Sequence, residues 1–379
     1  MGAPFLRATR TSTRNPLRHA DWVLIGTAVL LALGGLVMVY SSTQHRLELN
    51  GLDPYFFVVR QASWIVLGLC AMAVMMWIDY RVMRDMAPVT YVVMLGILFL
   101  VLSPLGSTSR GTQAWFGFGS FQLQPSEFTK IVLIVAIASY CYQYRGDIDA
   151  WRLAQVLGIA AVPLGLILLQ PDLGTSMVIM VVLMGMLLVA GARPRHLGVL
   201  SLAGITAVVA IISVGALEEY QVERLTSFIN TSSDLQTSRY NLEQSQTAIG
   251  AGGLFGKGLF EGTQTSLAFV PEQHTDFIFT AVGEELGFVG GAVVLLLLGV
   301  VVWRVWRVAQ VAKDPFGTLA CVGVMTMIAF QVFQNVGMSM GMMPITGIPL
   351  PFVSYGGSSM ITSFAAIGLV ANIGMRRFT

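Results

Sequence analysis

Long apolar runs, each closed by a few polar residues, recur along the whole chain. Ten of them approach or exceed 20 residues: 22 to 41, 58 to 78, 86 to 103, 126 to 143, 152 to 169, 173 to 190, 197 to 215, 275 to 303, 317 to 340 and 352 to 374. A helix rises about 1.5 Å per residue, so runs of this length can cross roughly 30 Å of hydrocarbon. Membrane β-strands would instead alternate apolar and polar residues over segments of about 10. The pattern predicts an all-α polytopic membrane protein of about ten transmembrane helices.

Lys and Arg orient these spans. With both termini on one side, that side holds Arg7, Arg10, Arg14, Arg18, Arg81, Arg84, Arg145, Arg152, Arg193, Arg195, Arg304, Arg307, Lys313, Arg376 and Arg377, 15 of the 22 basic residues. The other side holds Arg46, Arg60, Arg110, Lys130, Arg224, Arg239 and Lys257. The termini are therefore expected in the cytoplasm. Residues 1–21 read as a basic cytoplasmic tail, and 22–379 as one membrane domain. Arg7 to Arg18 ahead of Trp22 to Tyr40 imitate a signal peptide, but the apolar run is too long and lacks a clear small-residue cleavage site, so an uncleaved first span is expected.

Outer connections are longer and richer in Gly, Pro and uncharged polar residues, which places the expected chemistry outside. The largest runs from 216 to 274, between helices seven and eight. Leu217, Tyr220, Leu225 and Phe228 can share the stripe of a surface helix. YNLEQSQTAIG follows as a second short helix, then the glycine-rich GAGGLFGKGLFEGTQT.

Composition strengthens the membrane reading: 55% of residues are hydrophobic and only 11% charged, against roughly 25% charged in a soluble domain. A net charge of +2 gives no sign of a nucleic-acid partner. Cys70, Cys141 and Cys321 stand alone in apolar runs and read as small core residues.

Four polar constellations interrupt the apolar pattern. In SRGTQAWFGFGSFQLQPSEFTK, Gly and aromatic residues predict a hydrophobic re-entrant loop, with Pro125 and Ser126 starting a helix. Glu127 and Lys130, three apart, can pair on one face. The pair reads either as a capped helix with a snorkelling ion pair, or as a place where Arg110 and Lys130 bind an anion. In LLQPDLGTS, Asp172 would cost roughly 2.5–3.5 kcal/mol in hydrocarbon and is expected to cap the next span by accepting from amides near Gly174 and Thr175.

In FVPEQHTDFIF, Glu272, His274 and Asp276 crowd within five residues, near a glycine-rich loop carrying Lys257. A helix starting at His274 or Thr275 would place Asp276 in its first turn, where the dipole favours the carboxylate. No HExxH spacing supports zinc. On the same helix, Glu284 falls about 80° from Asp276 and Glu285 about 180° away, so only Glu284 is expected on the same cavity. In MPITGIPLPFVSYGGSS, three prolines and paired glycines break the helix, which at membrane depth is tolerated where backbone lines protein or a wet cavity. Ser354, Tyr355 and the Gly356 and Gly357 amides are expected to face that cavity.

PEQHTDFIF with GEELGF, GAGGLFGKG, GTQT, QPSE with Lys130, QPDLGTS and PLPFVSYGGSS together resemble the SEDS family of cell-wall polymerases, from Trp22 to about Arg377. GKGLFEGTQT and PEQHTD lean toward its elongation branch, RodA, rather than its division branch, FtsW. The resemblance implies a multi-pass protein of the bacterial cytoplasmic membrane that polymerises lipid II into β-1,4 glycan on the outer face, with undecaprenyl diphosphate as product and a class B penicillin-binding protein as partner. It implies Asp276 as the essential carboxylate. For such chemistry Arg110, Lys130 and Lys257 are the candidate diphosphate ligands, and membrane lipids would contact the apolar faces. No motif specifies a cofactor, although Asp276 with Glu272 or Glu284 could hold one divalent cation such as Mg or Mn. A lipid-precursor flippase, or a membrane scaffold for a penicillin-binding protein, would use similar ingredients. The absence of detectable inverted repeats and the clustering of polar motifs on one face argue against transport.

Overall fold

The computed structural model describes residues 19–109, 112–118, 121–144, 148–214, 236–266 and 272–377. Among them, thirteen helices and one small sheet follow in order: α1 Trp22–Leu49, α2 Phe56–Trp77, α3 Tyr80–Asp85 and α4 Ala87–Val101, then β1 Ser107–Ser109, β2 Thr112–Phe118 and β3 Phe121–Leu123. The chain continues through α5 Pro125–Gln143, α6 Ala150–Leu168, α7 Leu173–Val189, α8 Pro194–Val214, α9 Gln236–Gly252, α10 Thr263–Ser266, α11 Ile278–Val311, α12 Pro315–Ser339 and α13 Gly357–Met375. Each predicted span coincides with a helix, and α1, α2, α6, α11, α12 and α13 are long and apolar enough to cross a membrane. The predicted surface helix around Leu217 to Phe228 lies outside the described residues; YNLEQSQTAIG falls within α9.

Side-chain caps mark several helix starts. Asp21, Asp79, Asp149, Asp172 and Asp314 each accept from an amide in the first turn of the helix that follows, satisfying donors that hydrocarbon could not hydrate. The central helix is α13, nearly all of it buried. It lies tight against α2 because both supply glycine at the crossing: a Cβ on Gly368 would meet the Met72 carbonyl oxygen at 2.6 Å, and one on Gly68 would meet the Phe364 ring at 2.7 Å. Small residues give membrane helices such backbone contact. Val59, Val66, Val74, Val92, Phe99 and Leu296 stay exposed, as lipid-facing positions should.

Two local expectations are corrected, and one long helix is found to be irregular. The Gly- and aromatic-rich stretch before Pro125 forms antiparallel strands, with Ser107 opposite Trp115 and Phe116 opposite Leu123, where a re-entrant loop is predicted. The last span begins at Gly357 rather than 352, because Phe352 takes φ +66° and a helix cannot continue through it. Finally, α11 is kinked at Gly287, with φ 65° and ψ −163°.

That kink has an identifiable cause. The glycine-rich loop supplies the hydrogen bonds that α11 gives up: Phe288 and Val289 amides donate to the Gly253 and Leu254 carbonyls at 2.9 and 3.0 Å, while Lys257 and Gly258 amides donate to the Glu284 and Glu285 carbonyls at 3.0 and 3.1 Å. A Cβ on Gly287 would stand 2.2 Å from the Gly256 nitrogen. Only glycine fits both the positive φ and that approach.

Candidate active site

One cavity of about 1130 Å³ opens where the end of α1 meets the starts of α2, α5, α7, α11 and α13. Its wall includes Arg46, Arg60, Trp115, Gln124, Glu127, Asp172, Glu272, His274, Asp276, Tyr355 and Gly356 to Ser359. Several helix N-termini therefore face one space, and each brings unpaired amides and a partial positive charge. The sheet joins them by carrying Trp115 and Gln122 to the wall.

Asp276 stands before α11 rather than inside its first turn, because Phe277 is the N-cap and Ile278 the first helical residue. The preceding turn explains the shortened helix. Glu272 takes φ 57°, and its carbonyl accepts from the Thr275 and Asp276 amides at 3.1 and 3.2 Å. Thr275 Oγ1 adds a bond to the same carbonyl at 3.0 Å, so Thr275 fastens the turn. The His274 ring lies 4.7 Å from Phe57 and 5.5 Å from Tyr355, and the His274 carbonyl accepts from the Tyr355 amide at 2.9 Å. A further pin comes from α12, where Asn335 Nδ2 donates to the Asp276 carbonyl at 2.7 Å.

The expected cations are rearranged. Arg110 lies outside the described residues. Lys130 is only 3% exposed and donates to Glu127 Oε1 at 2.7 Å, so the cavity meets Glu127 with Lys130 behind it. Lys257 points elsewhere, donating to Thr263 Oγ1 at 2.6 Å and Glu284 Oε1 at 3.0 Å. Among the described residues, the Lys and Arg side chains that line the cavity are Arg46 and Arg60. A signal for Arg60 exists in the sequence: an arginine in the first turn of an apolar span is expensive in lipid and marks a candidate polar site.

Glu284 does not share the cavity with Asp276. Fully buried, it accepts from Lys257, from the Gln264 and Thr265 amides at 2.8 and 2.9 Å, and from Thr265 Oγ1 at 2.7 Å. It therefore anchors the glycine-rich loop. Its neighbour Glu285 accepts from Ser41 Oγ at 2.5 Å and the Phe260 amide at 3.3 Å. The helical angle fails here because the loop folds back onto α11 and both carboxylates serve it. With Glu284 committed, Glu272 is the remaining acid considered as a partner for a cation at Asp276. Among the described residues, no three His, Cys, Asp or Glu side chains are grouped to hold one.

The structural motifs hold the wall. Pro125 is the first residue of α5, following Gln124 as N-cap. Asp172 caps α7 through Thr175 at 2.9 Å, and its second oxygen accepts from Gln124 Nε2 and Ser126 Oγ, both at 3.0 Å, which ties the starts of α5 and α7. Ser354 turns inward: its Oγ accepts from the Leu350 amide at 2.8 Å, and its carbonyl from Gln61 Nε2 at 3.1 Å. Tyr355 remains on the wall. Gly357 packs on Trp64, 2.4 Å from the ring for an added Cβ. The first bond of α13 runs from the Met360 amide to the Gly356 carbonyl at 2.9 Å, so the amides of Gly357, Ser358 and Ser359 have no helical partner.

Comparison with known proteins agrees over nearly the whole length. The family described as cell cycle protein, comprising FtsW, RodA and SpoVE, matches residues 21–378. Stage V sporulation protein E of Bacillus subtilis is 38% identical, covering 93% of this chain and 96% of its own. The probable peptidoglycan glycosyltransferase FtsW of Geobacter metallireducens is 36% identical over 95% and 96%. A chain from a peptidoglycan synthase complex, solved to show how polymerisation and crosslinking are coordinated, superposes with a TM-score of 0.81 at 30% identity, covering 95% of this chain and 99% of that one. Matched over nearly its whole length in sequence and in fold, this chain belongs to the FtsW/RodA/SpoVE family, the SEDS proteins.

Proposed function

We propose that this protein is a peptidoglycan glycosyltransferase that polymerises lipid II on the outer face of the cytoplasmic membrane, with Asp276 as general base. The acceptor sugar hydroxyl attacks the anomeric carbon of an α-linked donor. Its proton passes to Asp276, the bond to the lipid diphosphate breaks, and the diphosphate leaves with the electron pair. The new linkage is β-1,4, with inversion. One base suffices because the leaving group is good, unlike glycoside hydrolysis, where two carboxylates flank the bond.

The observation that carries this reading is that Asp276, Arg46, Arg60 and the open N-terminus of α13 face one cavity. Guanidinium groups suit phosphate oxygens through paired donors, and helix N-termini favour anions. The diphosphate therefore has partners on the wall that carries the base. The relatives' names and the matched synthase complex support both the reaction and a penicillin-binding partner. The basic bias of the terminal side supports the outward orientation, and the role in elongation rests on GKGLFEGTQT and PEQHTD.

The test uses purified protein with labelled lipid II, wild type beside Asp276→Ala. Glycan chains are expected from the wild type and none from the folded variant. Lipid II crossing liposomes without polymerising would instead identify a flippase.

A further inference from the structure

We infer that Asn335 is a positioning residue that sets the Asp276 carboxylate against the cavity wall. This rests on the reading of Asp276 as base. Asn335 lies in α12, outside every motif named above, and is completely buried. Its one carboxamide nitrogen donates to two carbonyls from different parts of the chain: Asp276 at 2.7 Å and Ile348 at 2.8 Å.

Those carbonyls bracket the carboxylate. Asp276 precedes α11, while Ile348 belongs to the irregular stretch between α12 and α13, and no regular ladder joins the two. Next to Ile348 stands Gly347, with φ +70°, and a Cβ built there would lie 3.2 Å from Asp276 Oδ2. The side chain of Asp276 thus rests against the residue whose neighbour Asn335 holds, while Asn335 also holds the backbone of Asp276 itself.

Orientation of the amide supports a dedicated role. Both contacts require the nitrogen to face the carbonyls, and Oδ1 is buried with no hydrogen-bond partner among the described residues. A buried acceptor left unsatisfied is unfavourable, so helix stability alone would not select this arrangement. The neighbouring Gln334 fixes the Pro344 carbonyl at 2.8 Å, and Ser339 Oγ returns to the Asn335 carbonyl at 2.9 Å. The α12 face therefore clamps the broken segment at two points, of which only Asn335 also reaches Asp276.

Steady-state polymerisation of lipid II by full-length Asn335→Ala and Asn335→Ser provides the test, with Asp276→Asn alongside. For Asn335→Ala the expected result is a fall in kcat of about 30-fold with KM within twofold, since an interaction acting on the reacting geometry lowers kcat. Asn335→Ser keeps one donor and is expected to lose about fivefold; it decides the matter alone if the alanine protein does not fold. Hydrogen exchange should rise in peptides spanning 272–277 and 343–350 and stay unchanged in α1 and α6. If the folded Asn335 variants keep kcat within twofold, or if exchange rises evenly through the helices, the positioning role is overturned. If Asp276→Asn polymerises at the wild-type rate, the reading of Asp276 fails first and separately.

Discussion

Substituting Glu284 with Gln should release the glycine-rich loop from α11. The carboxylate is fully buried, and its Oε1 accepts from Lys257 Nζ, Thr263 Oγ1 and the Gln264 amide, while Oε2 accepts from the Thr265 amide and hydroxyl. Gln has the same shape but one acceptor oxygen. If that oxygen takes the Oε1 position, its NH2 group opposes the two donors of Thr265; if it takes the Oε2 position, NH2 opposes Lys257 and the Gln264 amide. Each buried donor left unpaired costs about 1–3 kcal/mol, and breaking a buried charged pair costs about 3–5 kcal/mol. Lys257 is part-exposed and recovers some hydration, so the expected loss is about 3 kcal/mol, localised to residues 256–266.

Hydrogen exchange by mass spectrometry reads this directly. About 3 kcal/mol corresponds to a rise of roughly 100-fold or more in local opening. The disturbance should reach the turn that carries Asp276, because Gln273 Nε2 donates to Thr265 Oγ1 at 2.9 Å. Lys257→Met should cost less, about 1 kcal/mol, and should add little to Glu284→Gln in a double-mutant cycle, because the two share one interaction. Unchanged exchange at 256–266 in folded Glu284→Gln would refute the anchoring argument.

Three further outcomes follow from the same geometry. Gly347→Ala, forced to positive φ and 3.2 Å from Asp276 Oδ2, should lower polymerisation at least about tenfold while costing only about 1–2 kcal/mol in thermal unfolding. Arg60→Ala should reduce kcat/KM for lipid II by about 30-fold, roughly 2 kcal/mol of charge-assisted binding, and Arg60→Lys should recover only part of it in the same assay. Asp172→Ala removes the α7 cap and the contacts to Gln124 and Ser126, and should destabilise the protein by about 2 kcal/mol in a thermal-shift measurement.

The helices were readable in the sequence because about 20 apolar residues in a row leave hydrocarbon as the natural surroundings and the helix as the natural form. The break before α13 was readable as well, since prolines and paired glycines forbid a ladder, although the apolar Phe352 and Val353 disguised where the helix resumes. Short strands around Trp115 were not: three-residue partners leave too little alternation to distinguish them from a loop. The position of Asp276 at the mouth of a long helix followed from its motif. By contrast, the separation of Glu284 from it depends on a loop folding back from 19 to 27 residues upstream, which helical periodicity does not encode. Arg46 and Arg60 counted in sequence only toward orientation, whereas the packing of α1 and α2 turns both into the cavity. Asn335 carried no sequence signal beyond being a polar residue in an apolar helix, because its importance comes from two carbonyls distant along the chain.

The central claim is that Asp276 moves a proton rather than holding the substrate. Asp276→Asn, nearly isosteric and unable to act as base, separates these roles when lipid II binding and single-turnover polymerisation are measured on the same preparation. The account predicts binding within about threefold of wild type and a loss of glycan formation of at least about 1000-fold. Polymerisation by Asp276→Asn at a rate near wild type would contradict it.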